Sequence, residues 1–427
     1  MKPIRLARLL AAAEIPIILA IAPALLFPTP RRLLVLSVVP VLWVCARFAH
    51  GSLVPRTAMN TALWVLLATV GVSLLATVDV QFSLGKVAGV TLGALLFWAI
   101  TRWLTTSDRL KWGTVAFLLA GAGLAVLALL GTQWTSKFPA LDSVTALLPR
   151  AIRGVPGAEA GFNPNAVAGC LVLFVPLQVA LLVTGSHRSL FAASRGRDLG
   201  RYLIPIQVMT LVLTIGALLL MQSRGAWAGL FVATAAFLVW HGRATRVLAT
   251  IGVAAVVVLA VTLGPAGTLS LAINQSGPGM AGGVSERVEL WSRAIAAIQD
   301  VPLTGMGMNG FRKVMPVLYP TLLGTDLDVA HAHNQLLQTA LDVGLVGLVA
   351  YVSLWLVATW LLVQVYRRSG NSVHRAMAGG LGAGLIAHFT FGMTDAIALG
   401  AKVGVLFWLT LAMTVGLHRV AVERPPD

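Results

Sequence analysis

Residues Trp112–Gly131 read WGTVAFLLAGAGLAVLALLG, twenty consecutive residues without a charged side chain. The hydrocarbon core of a bilayer is about 30 Å thick and is crossed by an α-helix of about 20 apolar residues. A membrane-spanning β-strand is only about 10 residues long and alternates apolar with polar side chains. The stretch therefore predicts a membrane-spanning helix.

Comparable apolar stretches recur along all 427 residues, of which 58% are hydrophobic and only 11% are charged. Soluble domains carry about 25% charged residues, so this chain has too little polar surface to face water on every side. We predict an all-α polytopic membrane protein with about twelve transmembrane helices. The predicted spans are 10–27, 33–48, 57–77, 84–103, 112–131, 164–184, 203–221, 225–241, 247–265, 335–366, 376–396 and 401–418.

The net charge of +16 is explained by membrane topology. With both termini placed in the cytoplasm, 19 of the 31 Lys and Arg residues fall on the cytoplasmic side, against four of the 15 acidic residues. Cytoplasmic loops of membrane proteins generally carry such an excess of Lys and Arg. The charge therefore predicts no nucleic acid as partner, and the lipid bilayer is the partner that the composition predicts.

Two connecting segments, 132–162 and 266–334, are too long and too polar to be simple turns, and this topology places both outside. Loops of such length in a compact protein are usually functional or disordered. The predicted organisation has three parts: spans one to nine over 1–265, a large periplasmic loop with short helices over 266–334, and spans ten to twelve with a cytoplasmic C-terminus over 335–427.

The large loop contains a predicted amphipathic helix over 285–300. The helical period places Val288, Trp291, Ile295 and Ile298 on one face.

Arg224 lies in the very short outer turn between the seventh and eighth predicted spans, within Ser223-Arg224-Gly225. A charge this close to the hydrocarbon is costly unless it snorkels or is paired. Two interpretations stay open. Arg224 is either a snorkelling arginine at the interface or part of an anion site, because the N-terminus of a helix favours phosphate.

The loop helix carries two further arginines. Arg293 follows Glu289 by four residues, so an exposed ion pair explains it. Arg287 has no such partner, since Gly283 stands four residues before it and Trp291 four after. We favour Arg287 as a ligand-binding residue because a guanidinium can bind phosphate oxygens bidentately. A solvated arginine on the polar face is the alternative.

His331 and His333 flank one alanine immediately before the tenth predicted span. A metal needs three or four ligands, so the pair alone is a weak signal and we predict no metal. An imidazole can instead act as general base on a hydroxyl near pH 7. Polar residues at a wet helix end are the alternative. Asn334 can cap the following helix, and Asp395 can either orient a base or face water.

The segment Gly305–Gly310 reads GMGMNG and matches the pattern G-x-G-x-x-G. A dinucleotide site would need a preceding strand and a βαβ unit around the motif, and the sequence predicts neither. We interpret the segment as a turn that lets the loop fold back.

Arginines beside a candidate base at the outer boundary of the membrane suit one reaction class. The arginines would bind a lipid pyrophosphate while a histidine deprotonates an acceptor hydroxyl that attacks the attached sugar. Because the leaving group gains negative charge in the transition state, fixed positive charges stabilise that state preferentially. No nucleotide, metal or other cofactor is required.

An ordered set of motifs resembles the O-antigen ligase and polymerase superfamily. The resemblance covers about residues 160–365, and the first 130 residues match only as generic spans. The motifs are Gly161-Phe162-Asn163-Pro164-Asn165, Ser223-Arg224-Gly225, Arg287 with Trp291 and Pro302, Gly305-Met306-Gly307, His331-Ala332-His333-Asn334 and Gly344-Leu345-Val346-Gly347.

The resemblance implies a metal-independent, inverting glycosyltransferase of the GT-C type in the bacterial inner membrane, with its active site facing the periplasm. It implies an undecaprenyl-pyrophosphate-linked glycan as donor, and lipid A–core or another lipid-linked glycan as acceptor; we favour the ligase reaction and keep the polymerase as the alternative. The implied catalytic residues are His333 first and His331 second, with Arg224 and Arg287. The implied substrate-binding residues are Arg224, Arg287, Arg293, Asn334, Asn163 and Asn165.

A transporter or flippase is the alternative from another class. Transporters usually contain internal repeats and bind substrate near the bilayer midplane. Here the polar groups cluster at the outer ends of the spans and no repeat is evident, which favours the enzyme.

Overall fold

The structure, a computed structural model, describes residues 2–153, 159–185, 200–241, 284–321 and 329–423, together with a few residues between 246 and 262. Over these residues the chain is helical, which confirms the predicted all-α class. The ninth predicted span lies for the most part outside the described residues, and so do residues 266–283 of the predicted loop.

Helices follow one another through the described parts of the chain, and short 3₁₀ turns cover Arg32–Ser37, Pro139–Leu141 and Lys402–Gly404. The α-helices are α1 (Lys2–Ala12), α2 (Glu14–Leu26), α3 (Val38–His50), α4 (Asn60–Ala76), α5 (Val80–Trp103), α6 (Ser107–Leu130), α7 (Asp142–Thr145), α8 (Pro164–Leu171), α9 (Val175–Val183), α10 (Gly200–Leu220), α11 (Arg224–His241), α12 (Val284–Asp300), α13 (Phe311–Leu318), α14 (Gln335–Arg368), α15 (Ser372–Gly392) and α16 (Val405–His418).

Within the described residues, six helices are long and apolar enough to cross a membrane, or seven if the bent pair of α1 and α2 counts as one span. Each coincides with a predicted span, and the shorter apolar helices Asn60–Ala76, Ile204–Leu220 and Arg224–Val239 coincide with three more. The chain is therefore a multi-pass membrane protein, while the number of twelve spans stays a prediction. The six are Arg32–His50, Val80–Trp103, Ser107–Leu130, Pro164–Val183, Gln335–Arg368 and Lys402–Glu423.

One end of the helix bundle is held together by arginines. Arg102, at the end of α5, pairs with the buried carboxylate of Glu14 at 2.9 Å and donates to the carbonyl of Leu53 at 2.6 Å. Arg419 donates to the carbonyl of Thr101 at 2.7 Å. These residues lie on the predicted cytoplasmic side, and the opposite end of the bundle carries the candidate site.

Helix α14 is broken near its start, and the preceding loop closes the break. Gly344 has a positive φ of 74°, and the N–H of Leu345 donates to the carbonyl of Pro302 at 2.7 Å instead of continuing the helix. On the other side of the break, the carbonyl of Leu341 accepts from the N–H of Met306 at 2.8 Å. The GMGMNG segment is therefore a turn, as predicted, and its role is to seal a broken helix.

Helix α12 forms as predicted, and its most deeply buried side chains lie outside the set of larger apolar residues that the helical period marks. Its buried side chains include Leu290, Ala294 and Ala297, whereas Val288 is 55% exposed and Ile295 is 47% exposed. The small alanines let α12 lie close to α14, which large β-branched side chains would prevent. The hydrophobic period marks the larger apolar residues, and here the closest packing is made by the smaller ones.

We expect Gly344→Ala to destabilise the protein. A Cβ at this position would lie 2.2 Å from the carbonyl oxygen of Leu303, in a backbone conformation that non-glycine residues rarely adopt. Backbone strain of this kind costs about 1–3 kcal/mol before the overlap is counted. The melting temperature of the detergent-purified protein measures the effect. Gly71→Ala is the matched control, because a Cβ there meets nothing within 4 Å; equal melting temperatures for both variants would contradict the assigned role of Gly344.

Candidate functional site

The segment His331-Ala332-His333-Asn334 is held by hydrogen bonds to the alanine between the two histidines. The N–H of Ala332 donates to Oε1 of Gln338 at 2.9 Å, and its carbonyl accepts from the indole N–H of Trp291 at 2.9 Å. His333 adopts a positive φ of 48°, which folds the segment back on itself. The two imidazole rings therefore lie side by side, with centroids 4.4 Å apart.

Asp395, just beyond the end of α15, faces both histidines. Its Oδ1 lies 3.3 Å from Nδ1 of His333 and 3.6 Å from Nε2 of His331, and its side chain is only 7% exposed. Of the two interpretations offered by the sequence, orientation of a base and exposure to water, the structure supports the first.

The electrostatics of this group follow from burial and from mutual contact. Burial lowers the pKa of His331 to about 4, although Asp395 opposes the shift. Asp395 faces His333 and His331 and accepts from the N–H of Ala396 at 2.8 Å, and these contacts favour its ionised form. At neutral pH His331 is uncharged and Asp395 is ionised.

The two ring nitrogens distinguish the histidines. In His331, Nε2 faces Asp395 and Nδ1 accepts from the N–H of His333 at 3.3 Å, so both nitrogens are engaged. In His333, Nδ1 faces Asp395, and Nε2 has no hydrogen-bond partner within the described part of the chain. His333 is the histidine with a nitrogen left for a ligand.

Asn334 has a structural role. Its Oδ1 accepts from the N–H groups of Leu336 and Leu337, which confirms it as the N-cap of α14. Its Nδ2 donates to the carbonyl of Met393 at 3.3 Å, two residues before Asp395. The cap thus also ties the start of α14 to the segment that carries the carboxylate.

Arg224 and Arg287 reach the same end of the bundle, together with Lys137. Arg224 opens α11 and Arg287 lies in the first turns of α12, and both are half-buried. Lys137 interacts electrostatically with Arg224, Arg287 and Asp395, and His331 interacts with Arg287. Arg287 therefore lies within electrostatic range of His331, and Lys137 lies within range of Asp395 and of both arginines. Arg293, by contrast, is exposed on α12, and none of these interactions involves it.

The two asparagines of the Asn163-Pro164-Asn165 motif have different surroundings. Asn163 caps α8, because its Oδ1 accepts from the N–H of Ala166 at 3.1 Å. Oδ1 of Asn165 accepts from Nζ of Lys137 at 3.4 Å. Asn165 therefore touches the cationic group directly, whereas Asn163 supports it through the helix.

Two cations of this group, Lys86 and Lys137, were missed from the sequence. Lys86 lies near the start of α5 and interacts electrostatically with His331 and with the buried Asp342. The sequence does not distinguish a functional lysine at a span end or in an outer loop from a solvated one. Their one detectable signal is that both stand on the predicted outer side, where the positive-inside rule does not account for them.

The histidine–aspartate group also has the dimensions of a partial metal site. Ligand atoms of His331, His333 and Asp395 lie within 4.8 Å of one another, and three protein ligands are what a catalytic zinc site offers. However, Lys137, Lys86 and Arg287 act electrostatically on the same group. Positive charges at this range oppose a divalent cation and favour an anion, so the residues fit a metal poorly.

An apolar groove lies between α11, α14 and α15. Its volume is ≈ 310 Å³, and its lining includes Trp355 and Phe389 nearer the site and Phe237 and Tyr366 farther along. A smaller cavity shares Trp355 and Phe389 with the groove and reaches Met393, whose carbonyl accepts from Asn334. The groove and the polar site are thus neighbours.

Fold and site together define a class: a multi-pass, all-helical membrane protein with a histidine–aspartate pair and clustered cations at one end of the bundle. Residues 209–352 match the model of a family described as O-antigen ligase. The match confirms the resemblance to the O-antigen ligase superfamily and supports a function of the ligase or polymerase type. A comparison with curated proteins gave no match.

The matched region contains most of the site. It includes Arg224, Arg287, His331 and His333, and it extends past the helix break at Gly344. Lys86, Lys137 and Asp395 lie outside it and join the site through the fold.

We expect the purified protein to bind no stoichiometric zinc, because the surrounding cations repel it. Elemental analysis and the melting temperature with and without EDTA measure this. One equivalent of metal that is lost on EDTA treatment and absent from His331→Ala would show that the group is a metal site after all.

Proposed function

We propose that this protein transfers a glycan from undecaprenyl pyrophosphate to an acceptor hydroxyl at the periplasmic face of the bacterial inner membrane. The observation that carries the proposal is the His333–Asp395 pair beside clustered arginines and lysines, at one end of a membrane helix bundle that matches the O-antigen ligase family. The donor, the acceptor and the residue roles below are all part of this proposal.

Arg224 and Arg287 bind the pyrophosphate of the donor. A guanidinium offers two parallel N–H donors to phosphate oxygens, and its charge is fixed at every physiological pH. Positive charge exceeds negative charge near the histidines, because the single carboxylate of Asp395 faces three cations, Lys137, Arg224 and Arg287. That surplus suits a dianionic ligand and stabilises the charge that develops on the leaving group.

His333 is the general base. Its Nε2 removes the proton of the acceptor hydroxyl while Asp395, at Nδ1, holds the ring in the required tautomer and balances the imidazolium. His331 is the second choice, because both its nitrogens are already engaged. Four further residues stay in the proposed substrate-binding set, where they contact the glycan or hold the site in place: Arg293, Asn163, Asn165 and Asn334.

The reaction is a single displacement at the anomeric carbon. The acceptor oxygen forms a bond to that carbon from the face opposite the carrier, and the bond between the carbon and the pyrophosphate oxygen breaks. The acceptor proton passes to His333, and undecaprenyl pyrophosphate leaves with its added negative charge beside the arginines. Configuration inverts, and neither metal nor other cofactor takes part.

The prenyl chain of the donor lies in the apolar groove between α11, α14 and α15. A smaller cavity shares Trp355 and Phe389 with the groove and reaches Met393, whose carbonyl accepts from Asn334, and the groove lining is mostly apolar along α14 and α15. A carrier seated there would place its pyrophosphate at the end of the groove that meets the site.

The proposed topology has twelve spans, of which 247–265 is the ninth, with both termini in the cytoplasm. The site then belongs to the periplasmic loop 266–334, the loop 132–162 and the outer span ends. The arginine-held end with Arg102 and Arg419 faces the cytoplasm, in agreement with the positive-inside rule.

Lipid A–core is the proposed acceptor, which makes the protein a ligase. A polymerase of the same superfamily would use the same donor chemistry with a second lipid-linked glycan as acceptor. A transporter is disfavoured because the charged group lies at the end of the bundle, whereas transporters bind substrate near the midplane.

We expect His333→Ala to lower transfer by at least about 100-fold, the usual scale for a general base. Asp395→Asn should cause a smaller loss, since it leaves the base in place but unoriented. The measurement is transfer from purified lipid-linked glycan in detergent, with EDTA, to lipid A–core and separately to a second lipid-linked glycan. Arg150→Gln is the control because Arg150 is exposed. Full activity of both Arg224→Ala and His333→Ala would exclude the mechanism.

The topology has its own test. A periplasmically active reporter fused after Gly283 should score as periplasmic, and one fused after Arg368, at the end of α14, should score as cytoplasmic. A cytoplasmic score after Gly283 would place the site on the cytoplasmic side of the membrane and overturn the proposed function.

A further inference from the structure

The segment around Lys137 is docked onto the turn that carries Arg224. The N–H groups of Lys137 and Phe138 both donate to Oε1 of Gln222, each at 2.7 Å. Gln222 is fully buried and has a positive φ of 52°, so its amide is fixed by the turn itself. Two hydrogen bonds to one buried oxygen determine where the backbone of Lys137 lies.

An aromatic stack connects the same two elements. The ring of Phe138 stacks on Trp227 of α11 with centroids 5.1 Å apart, and the guanidinium of Arg224 lies 5.9 Å from the centroid of the Phe138 ring. Phe138 is thus the chain neighbour of Lys137 and contacts Arg224 through its ring, so the fold sets the relative position of the two cations.

The ammonium group of Lys137 points back into the site. Its Nζ lies 3.4 Å from Oδ1 of Asn165, and it interacts electrostatically with Asp395, Arg224 and Arg287. An ammonium group has three N–H donors, and Asn165 accepts one of them. Burial lowers the pKa of Lys137, and Arg224 and Arg287 add to this shift, whereas Asp395 opposes it. One carboxylate thus faces three cations, and a bound anion would relieve the remaining repulsion.

We propose that Lys137 is a third phosphate-binding residue, which donates to an oxygen of the donor pyrophosphate between the arginines and the His333–Asp395 pair. This inference rests on the proposed function and deepens it. It gives the loop 132–162 a direct part in donor binding, through a residue outside the region that matches the O-antigen ligase family.

The test is binding of undecaprenyl pyrophosphate to the full-length protein in nanodiscs, compared with undecaprenyl monophosphate. Lys137→Gln should weaken binding of the pyrophosphate by about 10- to 100-fold, the scale of a hydrogen bond to a charged group, and should weaken the monophosphate less. Lys137→Arg should restore most of the affinity. Arg150→Gln, which removes one positive charge from an exposed position of the same loop, should bind as the wild type does.

Each contrary result has a distinct meaning. Wild-type affinity in Lys137→Gln would overturn the phosphate-binding role and leave the proposed function standing. A ligand-free Lys137→Gln protein that melts well below the wild type, with no rescue by Lys137→Arg, would make Lys137 a structural residue and also overturn it. A wild-type protein that binds no undecaprenyl pyrophosphate would overturn the proposed function itself.

Discussion

The structure depends on the break in α14 at Gly344. Backbone N–H and C=O groups at membrane depth must find partners inside the protein, so a spanning helix can break only where something else supplies them. Here the loop 302–306 does so, with one hydrogen bond on each side of the break. Only a residue without a side chain fits, because a Cβ on Gly344 would meet the carbonyl of Leu303. The large loop is thereby fixed to a membrane span.

That attachment also places the segment His331-Ala332-His333-Asn334. The first part of α14 begins at the cap Asn334, directly after the two histidines, and α12 packs on the same helix and hydrogen-bonds to Ala332 through Trp291. Arg287 belongs to α12, so the packing of α12 on α14 and the hydrogen bond from Trp291 to Ala332 also set its distance from the histidines. The opposite wall comes from α11 and the loop 132–162, which Gln222 binds together. Two groups of elements, each held by its own contacts, thus surround Asp395: α12 with the start of α14, and α11 with the loop 132–162. Asp395 interacts with cations or imidazoles from both groups.

The helices could be predicted from the sequence because a membrane span has a simple signature, an uncharged run of the right length, as in Trp112–Gly131. Arg224, Arg287 and the histidines could be identified because they stand where the topology does not explain them. Lys86 and Lys137 could not, since their roles depend on which elements meet in space. The buried contacts of α12 could not be predicted for a related reason: the helical period marks large apolar side chains, whereas Ala294 and Ala297 are the fully buried ones.

The two histidines show most clearly what the fold adds. In the sequence they are equivalent members of a symmetric motif around Ala332. In the structure the positive φ of His333 turns its Nδ1 toward Asp395, and its own N–H toward His331, so one ring becomes fully engaged and the other keeps Nε2 for a substrate. A backbone conformation that is costly for a non-glycine residue therefore gives the two histidines different contacts, and the proposed roles of base and support follow from that difference. Strain at a single residue separates two chemically identical side chains, and it does so beside the cations that would receive the leaving group.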